Sequence, residues 1–312
     1  MTSYLVDFAV RSSRCILQLC EGRARPGMKV ASWLATCGGR TPGSDPCDTD
    51  IFIITTPKSG TVWLKALSFA IVNRSNYTPS TNPLLTTNPP YTIPFFEIQL
   101  YHYNQNPDLS KLQSPRLFAT HIPYSSLPES ILTNSNCRIL YLCRNPKDAF
   151  VSMWHFLNSI SEDGQMPVGL DEAFQLFCKG AIPFGPFWEH VLDFWKLSLE
   201  KPKHVLFLKY EDMKADTNSH IKKMADFLGY PFSSQEVEKG VVDEISKLCS
   251  FEHLSNLEVN KTGLIDPREK IPNHIFFRKA KVGDWSNHLT QQMILELDEI
   301  TKEKLNGTGV MF

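Results

Sequence analysis

The chain has 312 residues, and its 32 basic side chains nearly balance 33 acidic ones, giving a formal net charge of −1. No global field draws such a protein to nucleic acid or to an anionic membrane, and we expect neither as a partner. The sequence has no run of about 20 apolar residues that could cross a bilayer, and no signal-peptide pattern opens it, which favours a cytoplasmic location. Its eight cysteines include no C-x-x-C pair, so neither a zinc site nor a disulfide framework is indicated.

Residues 1–47 differ in composition from the remainder, being rich in arginine and poor in acids. We interpret them as an atypical, irregular N-terminal segment, and an organellar transit peptide is the alternative that the composition leaves open. Residues 48–312 are predicted to form one domain, because no linker or internal repeat interrupts them.

A phosphate-binding loop is predicted at the start of this domain. The apolar stretch Ile51–Thr55 indicates a strand, residues 56–60 (TPKSG) a tight loop, and about Thr61–Asn73 a buried helix. A loop entering a helix directs free N–H groups and the positive end of the helix dipole at one place, where an anion is stabilised. Lys58 adds a charge there, and Gly60 allows close approach. The lysine precedes the glycine, unlike in the Walker pattern of nucleoside triphosphatases.

The segments that follow alternate between strands and helices. The proline-rich stretch 78–94 is predicted to be an irregular surface loop. The other predicted elements are strands at Arg116–His121, Arg138–Arg144 and Val205–Tyr210, a helix begun by Asn145, Pro146 and Asp148, and a helix near 218–228 ended by Gly229. This alternation predicts an α/β fold with a central parallel sheet flanked by helices, in the manner of P-loop-like nucleotide-binding proteins.

Four polar residues fall at the carboxyl ends of the predicted strands, namely Lys58, His121, Arg144 and Tyr210. Ligands of open parallel sheets bind at this edge. Ser152 lies about two turns into the helix after Arg144 and can face the same crevice. Arg144 alone could instead pair with Asp148 on the surface. A lone histidine is often a core residue, but the position of His121 beside a phosphate crevice favours a catalytic base.

Several motifs taken together carry a family resemblance. They are the loop ending at Trp63, RNPKD at 144–148 with Ser152, YED at 210–212, CSF at 249–251, and RKAKVGDW at 278–285. The last of these would by itself be a solvated turn. Together they resemble the cytosolic sulfotransferases from about residue 50 to the end of the chain, and the plant flavonol and steroid types in particular.

The resemblance implies that 3′-phosphoadenylyl sulfate (PAPS) is the sulfuryl donor. No catalytic metal is implied, because the transferred group carries less charge than a phosphoryl group and no carboxylate cluster accompanies the loop. The 5′-phosphosulfate would be held by Lys58, Ser59, Gly60, Thr61, Val62 and Trp63. The 3′-phosphate would be bound by Arg144, Ser152, Arg278, Lys279 and Ala280. Trp63 and Phe251 would flank the adenine, and Tyr210 would contact the nucleotide.

The resemblance also implies a small hydroxylated acceptor, such as a flavonoid, another phenol, a steroid or a hydroxy-acid hormone. His121 would be the general base, and Lys58 would stabilise the leaving phosphate. Several aromatic residues could line the acceptor pocket or belong to the core, and the sequence leaves both open for Phe95, Phe96, Trp154, Phe156, Phe184, Phe187 and Trp188.

The chain departs from the family pattern at several places. Ala280 replaces a glycine, and we expect weaker donor binding if that position needs a positive φ. Val62 stands where many relatives have threonine, which removes one hydroxyl donor. The dimer motif of the animal enzymes would begin at Ser286 but is not recognisable, so we expect a monomer or a weak homodimer.

Two other functions fit part of the pattern. A small-molecule kinase with a variant phosphate loop would bind ATP and magnesium, but it would have no use for a 3′-phosphate pocket. A nucleotide-binding relative that has lost its activity would not need both Lys58 and His121.

Overall fold

The structure is a computed structural model that describes residues 48–100, 107–109, 112–133, 136–160, 167–265 and 271–312, so the prediction for residues 1–47 lies outside the described residues. Four parallel strands form a sheet in the order β2-β1-β3-β4. Their bounds are β1 Ile51–Thr55, β2 Leu117–Thr120, β3 Arg138–Cys143 and β4 Val205–Lys209. The predicted α/β fold with a central parallel sheet is confirmed.

The two inner strands are apolar on both faces because helices cover both sides of the sheet. All five residues of β1 are buried, and the side chains alternate between two cores. Phe52 and Ile54 belong to one apolar cluster, whereas Ile51 and Ile53 belong to the other. This period-2 alternation sends successive side chains to opposite faces.

The helices connect the strands and form both outer layers. In chain order they are α1 Thr61–Val72, α2 Pro89–Thr92, α3 Glu129–Thr133, α4 Pro146–Ser159, α5 Leu170–Cys178, α6 Phe187–Glu200, α7 Tyr210–Ala215, α8 Thr217–Leu228, α9 Ser234–Glu238, α10 Val241–Leu248, α11 Phe251–Asn256, α12 Glu258–Thr262 and α13 Gln291–Leu305. Among the described residues, none of these helices has the length and apolar character to cross a membrane.

The helix boundaries predicted from capping residues are confirmed. The side chain of Asn145 accepts a hydrogen bond from the N–H of Lys147, and Pro146 is the first residue of α4. Gly229 ends α8 in the left-handed conformation, with φ of 79°. His121 lies one residue beyond the last residue of β2, at the carboxyl end as expected.

The prediction of an irregular surface loop over 78–94 is wrong in part. A 3₁₀ turn covers Pro83–Leu85, and α2 follows with two prolines at its start. Proline is compatible with the first turn of a helix because the N–H that it lacks has no partner there. Leu84 and Ile93 are fully buried, so the apolar residues between the prolines anchor the segment to the core.

Candidate active site

The loop between β1 and α1 has the geometry of an anion-binding turn. The N–H of Ser59 donates to the carbonyl of Thr56 at 3.3 Å, and the hydroxyls of the same two residues lie 2.5 Å apart. Lys58 and Gly60 both have positive φ angles, 65° and 109°. The backbone therefore reverses just before α1 begins, where its first N–H groups are free for a ligand.

Gly60 is required because Tyr210 lies directly against it. A β-carbon at residue 60 would stand 2.8 Å from Cδ2 of Tyr210 and 3.1 Å from Cδ2 of Leu142. The Tyr210 ring is only 4% exposed, packs edge-on against Trp63 with centroids 5.5 Å apart, and lies 4.6 Å from the guanidinium of Arg144. Tyr210 thus packs against the loop at Gly60 and also contacts Trp63 and Arg144.

The ammonium of Lys58 lies over aromatic faces. Its Nζ is 3.9 Å from the ring centroid of Phe156 and 5.5 Å from that of Phe276. Burial, followed by the positive charges of Arg144 and Arg278, lowers the pKa of Lys58 to about 7. An anion bound among these three cations would reverse that shift and hold the lysine in its charged form.

Arg144 is buried at the carboxyl end of β3. Its Nη2 donates to the carbonyl of Lys281 at 2.8 Å and lies 3.7 Å from a carboxylate oxygen of Asp148. The guanidinium also reaches the carbonyl of Lys58 at 3.5 Å, which links the loop after β1 to the loop before α13. The pairing with Asp148 that the sequence left open is present but loose. Within the described part of the chain, Nε of Arg144 is buried and has no hydrogen-bond partner.

Two aspartates organise the C-terminal loop 278–285. Asp148 accepts the N–H groups of Gly283 at 2.8 Å and Trp285 at 3.1 Å, one on each carboxylate oxygen. Asp284 accepts hydrogen bonds from Arg278 at 2.7 Å and Lys279 at 2.9 Å. Burial would raise the pKa of Asp284, but these bonds outweigh it and hold the pKa well below its usual value.

Ala280, which replaces a glycine of the family pattern, has a left-handed backbone conformation. Its φ is 50°, in the left-handed region where a side chain is unfavourable. Its neighbour Arg278 has a buried Nε with no hydrogen-bond partner among the described residues. The loop is therefore strained beside an unsatisfied donor.

His121 has a defined tautomer because its Nδ1 faces a carbonyl. The distance from Nδ1 to the carbonyl oxygen of Thr55 is 2.8 Å, and a carbonyl can only accept, so Nδ1 carries the proton and Nε2 the lone pair. The rings of Phe95 and Phe184 contact the imidazole, with ring centroids 5.0 and 5.5 Å away. Burial lowers the pKa of His121 to about 3, which keeps the ring in its basic form.

Four other predicted donor residues are buried or half-buried. Ser152 is buried on α4, the hydroxyl of Thr61 lies 2.7 Å from that of Thr55, and Val62 is half-buried on the first turn of α1. Phe251 begins α11 and packs against Phe277 with centroids 6.3 Å apart.

The aromatic residues considered for the acceptor pocket fall into two groups. Phe187 and Trp188 are fully buried, and Phe96 stacks on Phe118 and packs at a tilt against Phe52, so these belong to the core. Phe95 and Phe184 contact His121, and Phe156 contacts Lys58. Trp154 is half-buried, and its indole N–H donates to the carbonyl of Val168.

Sequence reasoning missed three polar residues that contact this site. Asp284 binds the two basic residues of the C-terminal loop, Glu97 accepts the N–H of His121, and His190 bonds its carbonyl. Glu97 is the one charged residue in the apolar run 93–98, and a lone carboxylate in such a run indicates a buried group with a specific partner.

Comparisons with known proteins show the family to which this chain is similar. The family model described as "Sulfotransferase domain" matches residues 48–309. Cytosolic sulfotransferase 5 of Arabidopsis thaliana is 49% identical over 271 residues, which are 86% of this chain and 83% of that protein. Flavonol 3-sulfotransferase of Flaveria bidentis is 50% identical over 264 residues, which are 84% of this chain and 83% of that protein.

Solved structures show the same fold. The crystal structure of a candidate steroid sulphotransferase from Arabidopsis thaliana superposes with a TM-score of 0.68 at 38% identity, covering 89% of this chain and 83% of that one. A mouse sulfotransferase in complex with PAP gives a TM-score of 0.67 at 26% identity, covering 90% of each chain. The chain therefore belongs to the sulfotransferase family and is an enzyme of its plant cytosolic type.

Proposed function

We propose that this enzyme transfers a sulfuryl group from PAPS to the hydroxyl of a small, flat acceptor, a flavonoid or another phenol. The observation that carries the proposal is the grouping of three basic side chains near His121: Arg144 contacts the carbonyl of Lys58, and the charges of Arg144 and Arg278 act on the Lys58 ammonium. Three cations suit a donor that bears phosphate at both ends, and an adjacent neutral imidazole suits the activation of a hydroxyl.

Two buried guanidinium nitrogens support recognition of the 3′-phosphate. The Nε atoms of Arg144 and Arg278 have no hydrogen-bond partner within the described residues, and a buried unsatisfied donor is unfavourable until it meets an acceptor. A 3′-phosphate would supply such acceptors, and it is the group that separates PAPS from ATP. The mouse relative in complex with PAP, the product that PAPS becomes on losing its sulfuryl group, supports the same donor.

When bound, the donor would supply an activated sulfur whose bond to a phosphate oxygen breaks as the acceptor oxygen attacks. Nε2 of His121 would take the hydroxyl proton as the new oxygen–sulfur bond forms, a role typically worth about 10²–10⁴-fold in rate. Lys58 would neutralise the charge that appears on the leaving phosphate, which stabilises the transition state more than the ground state.

The surroundings of His121 support an aromatic acceptor. The rings of Phe95 and Phe184 both lie within 5.5 Å of the imidazole centroid, and such aromatic surroundings would favour a flat ring that brings its hydroxyl to Nε2. The relative named for flavonol sulfation supports this class of molecule, the solved structure named for a steroid sulphotransferase is the reason to test steroids as well, and the cytosolic names support a cytosolic location.

The reaction is tested by following labelled sulfate from PAPS to a panel of flavonoids, simple phenols, steroids and hydroxy acids. We expect His121→Ala and Lys58→Ala to lower turnover at least 100-fold. His204→Ala is the matched control, because His204 also bonds a carbonyl through Nδ1 but lies before β4, at the opposite end of the sheet. Full activity in both site variants would overturn the mechanism.

Donor recognition is tested separately by thermal stabilisation. PAP is expected to raise the melting temperature far more than AMP does, because only PAP carries the 3′-phosphate. Arg144→Met and Arg278→Met should remove that difference. Arg74→Met, which breaks an ion pair with Glu236, should lower stability without changing the preference. Equal stabilisation by PAP and AMP in the parent protein would exclude the assigned pocket.

A further inference from the structure

The backbone of His121 lies just outside the hydrogen-bond ladder of the sheet. The last residue of β2 paired with β1 is Thr120, which lies opposite Ile54. The N–H and C=O of His121 therefore need partners from elsewhere, since buried backbone groups are rarely left unpaired. Both groups find them on buried side chains from distant parts of the chain.

Glu97 binds the N–H of His121. Its Oε1 accepts that hydrogen bond at 2.7 Å across 24 positions of sequence. Glu97 is 9% exposed and lies in a π-helical turn at Phe96–Leu100, where the N–H of Leu100 reaches back to the carbonyl of Phe95 at 3.1 Å. Burial raises the pKa of Glu97 to about 7, yet Oε1 can accept the bond whether or not the carboxyl is ionised.

His190 binds the carbonyl of His121 from the other side. Its Nε2 lies 3.1 Å from that oxygen, so Nε2 must be the protonated nitrogen. Its Nδ1 then accepts from the hydroxyl of Tyr141 at 2.9 Å. His190 and Tyr141 are buried, on α6 and β3, so this chain of bonds rests on two elements of the core.

We propose that Glu97 and His190 are positioning residues that hold His121 so that its Nε2 faces the acceptor hydroxyl. This rests on the proposed role of His121 as the base. The main chain is fixed on both sides, and the bond from Nδ1 to Thr55 fixes the ring, which leaves Nε2 as the free nitrogen of the imidazole. A base displaced by about 1 Å can lose about 100-fold in rate, so the two anchors act on turnover.

The experiment compares a disruptive and a conservative variant at each anchor. Glu97→Met and His190→Phe remove the hydrogen bond and keep the volume, and we expect each to lower kcat by about 10- to 100-fold while KM for PAPS stays within about twofold. Glu97→Gln and His190→Gln can restore the acceptor and the donor, and we expect them to recover most of the loss. Trp188→Phe is the control. Trp188 lies on α6, as His190 does, and the substitution removes the hydrogen bond from its indole to the hydroxyl of Thr301.

A second readout separates a displaced base from a general loss of structure. Phenols of rising acidity need less help in losing their proton, so the defects of Glu97→Met, His190→Phe and His121→Ala should all shrink with acidic phenols that the parent enzyme sulfates. A defect of constant size across the series would overturn the positioning role. So would an equal effect of Trp188→Phe on kcat.

The role of His121 as the base and the roles of Glu97 and His190 as its anchors can be tested separately. If His121→Ala remains fully active, the proposed function of the histidine is wrong. If His121→Ala is inactive while Glu97→Met and His190→Phe, still stabilised by PAP, turn over at the parent rate, only the anchors are wrong.

Discussion

Gly60 and Tyr210 are in such close contact that a single added methyl group would not fit between them, since it would stand 2.8 Å from the tyrosine ring. The contact joins the loop after β1 to the residue after β4, the two elements lying on either side of β3. Substitution at residue 60 therefore tests whether the loop must lie on the tyrosine to bind the donor.

We expect Gly60→Ala to destabilise the fold by about 3 kcal/mol, because it combines an unfavourable φ with overpacking. Its affinity for PAP should fall at least tenfold. Gly169→Ala is the matched control, since φ at Gly169 is −61° and a β-carbon there meets nothing within 4 Å. Chemical unfolding and calorimetric titration with PAP measure both effects, and a Gly60→Ala protein that binds as tightly as the parent would contradict the account.

Replacing Ala280 by glycine should raise both the stability of the protein and its affinity for PAP. Its φ of 50° disfavours a side chain, so Ala280→Gly is expected to raise the unfolding free energy by up to about 1 kcal/mol and to tighten PAP binding. Gly283→Ala supplies the opposite control, because Gly283 has φ of 80° and open space around it. That variant should lose about 1 kcal/mol through the backbone alone. A loss of stability in Ala280→Gly would show that the alanine is not strained.

Donor affinity should depend on pH through Lys58. Burial and the charges of Arg144 and Arg278 lower its pKa to about 7 in the free protein, so the ammonium is present below pH 7 and is lost above it. We expect the dissociation constant for PAP to rise between pH 7 and 9, where a bound anion must first restore the proton. Lys58→Arg keeps its charge throughout and should flatten the profile. Parallel profiles for the two proteins would exclude Lys58 as the titrating group.

Asp148 should control the C-terminal loop. An asparagine offers one carbonyl oxygen in place of two carboxylate oxygens, so Asp148→Asn cannot accept from both Gly283 and Trp285 as the parent does. We expect a loss of about 2 kcal/mol in stability and weaker PAP binding, measured by unfolding and titration. Asp298→Asn breaks the ion pair with Lys147 near the same helix, and because Asp298 is exposed the change should be small. Equal losses of stability and of PAP affinity in the two variants would contradict the role of Asp148 in holding the C-terminal loop.

Local signals explain what could be predicted from the sequence. The start of α4 depends on Asn145, Pro146 and their immediate neighbours, and the end of α8 on Gly229, so short-range chemistry was sufficient. The carboxyl ends of parallel strands converge in any such sheet, which placed Lys58, His121 and Arg144 on one edge. The glycine expected at residue 280 raised the question of a positive φ there, and the structure answers it with a φ of 50°.

Long-range contacts explain what could not be predicted. Glu97 and His190 bond to His121 across 24 and 69 positions of sequence, and the residues next to them carry no pattern from which these hydrogen bonds could be predicted. The segment 78–94 was misread because prolines indicate a break in regular structure, whereas its burial depends on a pocket formed by other elements. Lys65 illustrates the same point, since its ammonium is buried and donates to the carbonyl of Pro90, a partner that only the fold supplies.

The order of the strands separates the residues proposed to bind the donor from the residue proposed to act on the acceptor. Lys58 and Arg144 follow the two inner strands, whereas His121 follows the outer strand β2 and contacts Phe95, which forms a single β-bridge with Ala119 of that strand. With these proposed roles, substitutions along the outer side of β2 would change the acceptor that is sulfated while the residues after the inner strands would still bind the donor. Gene duplication on such a scaffold can yield many acceptor preferences without a new solution for donor recognition.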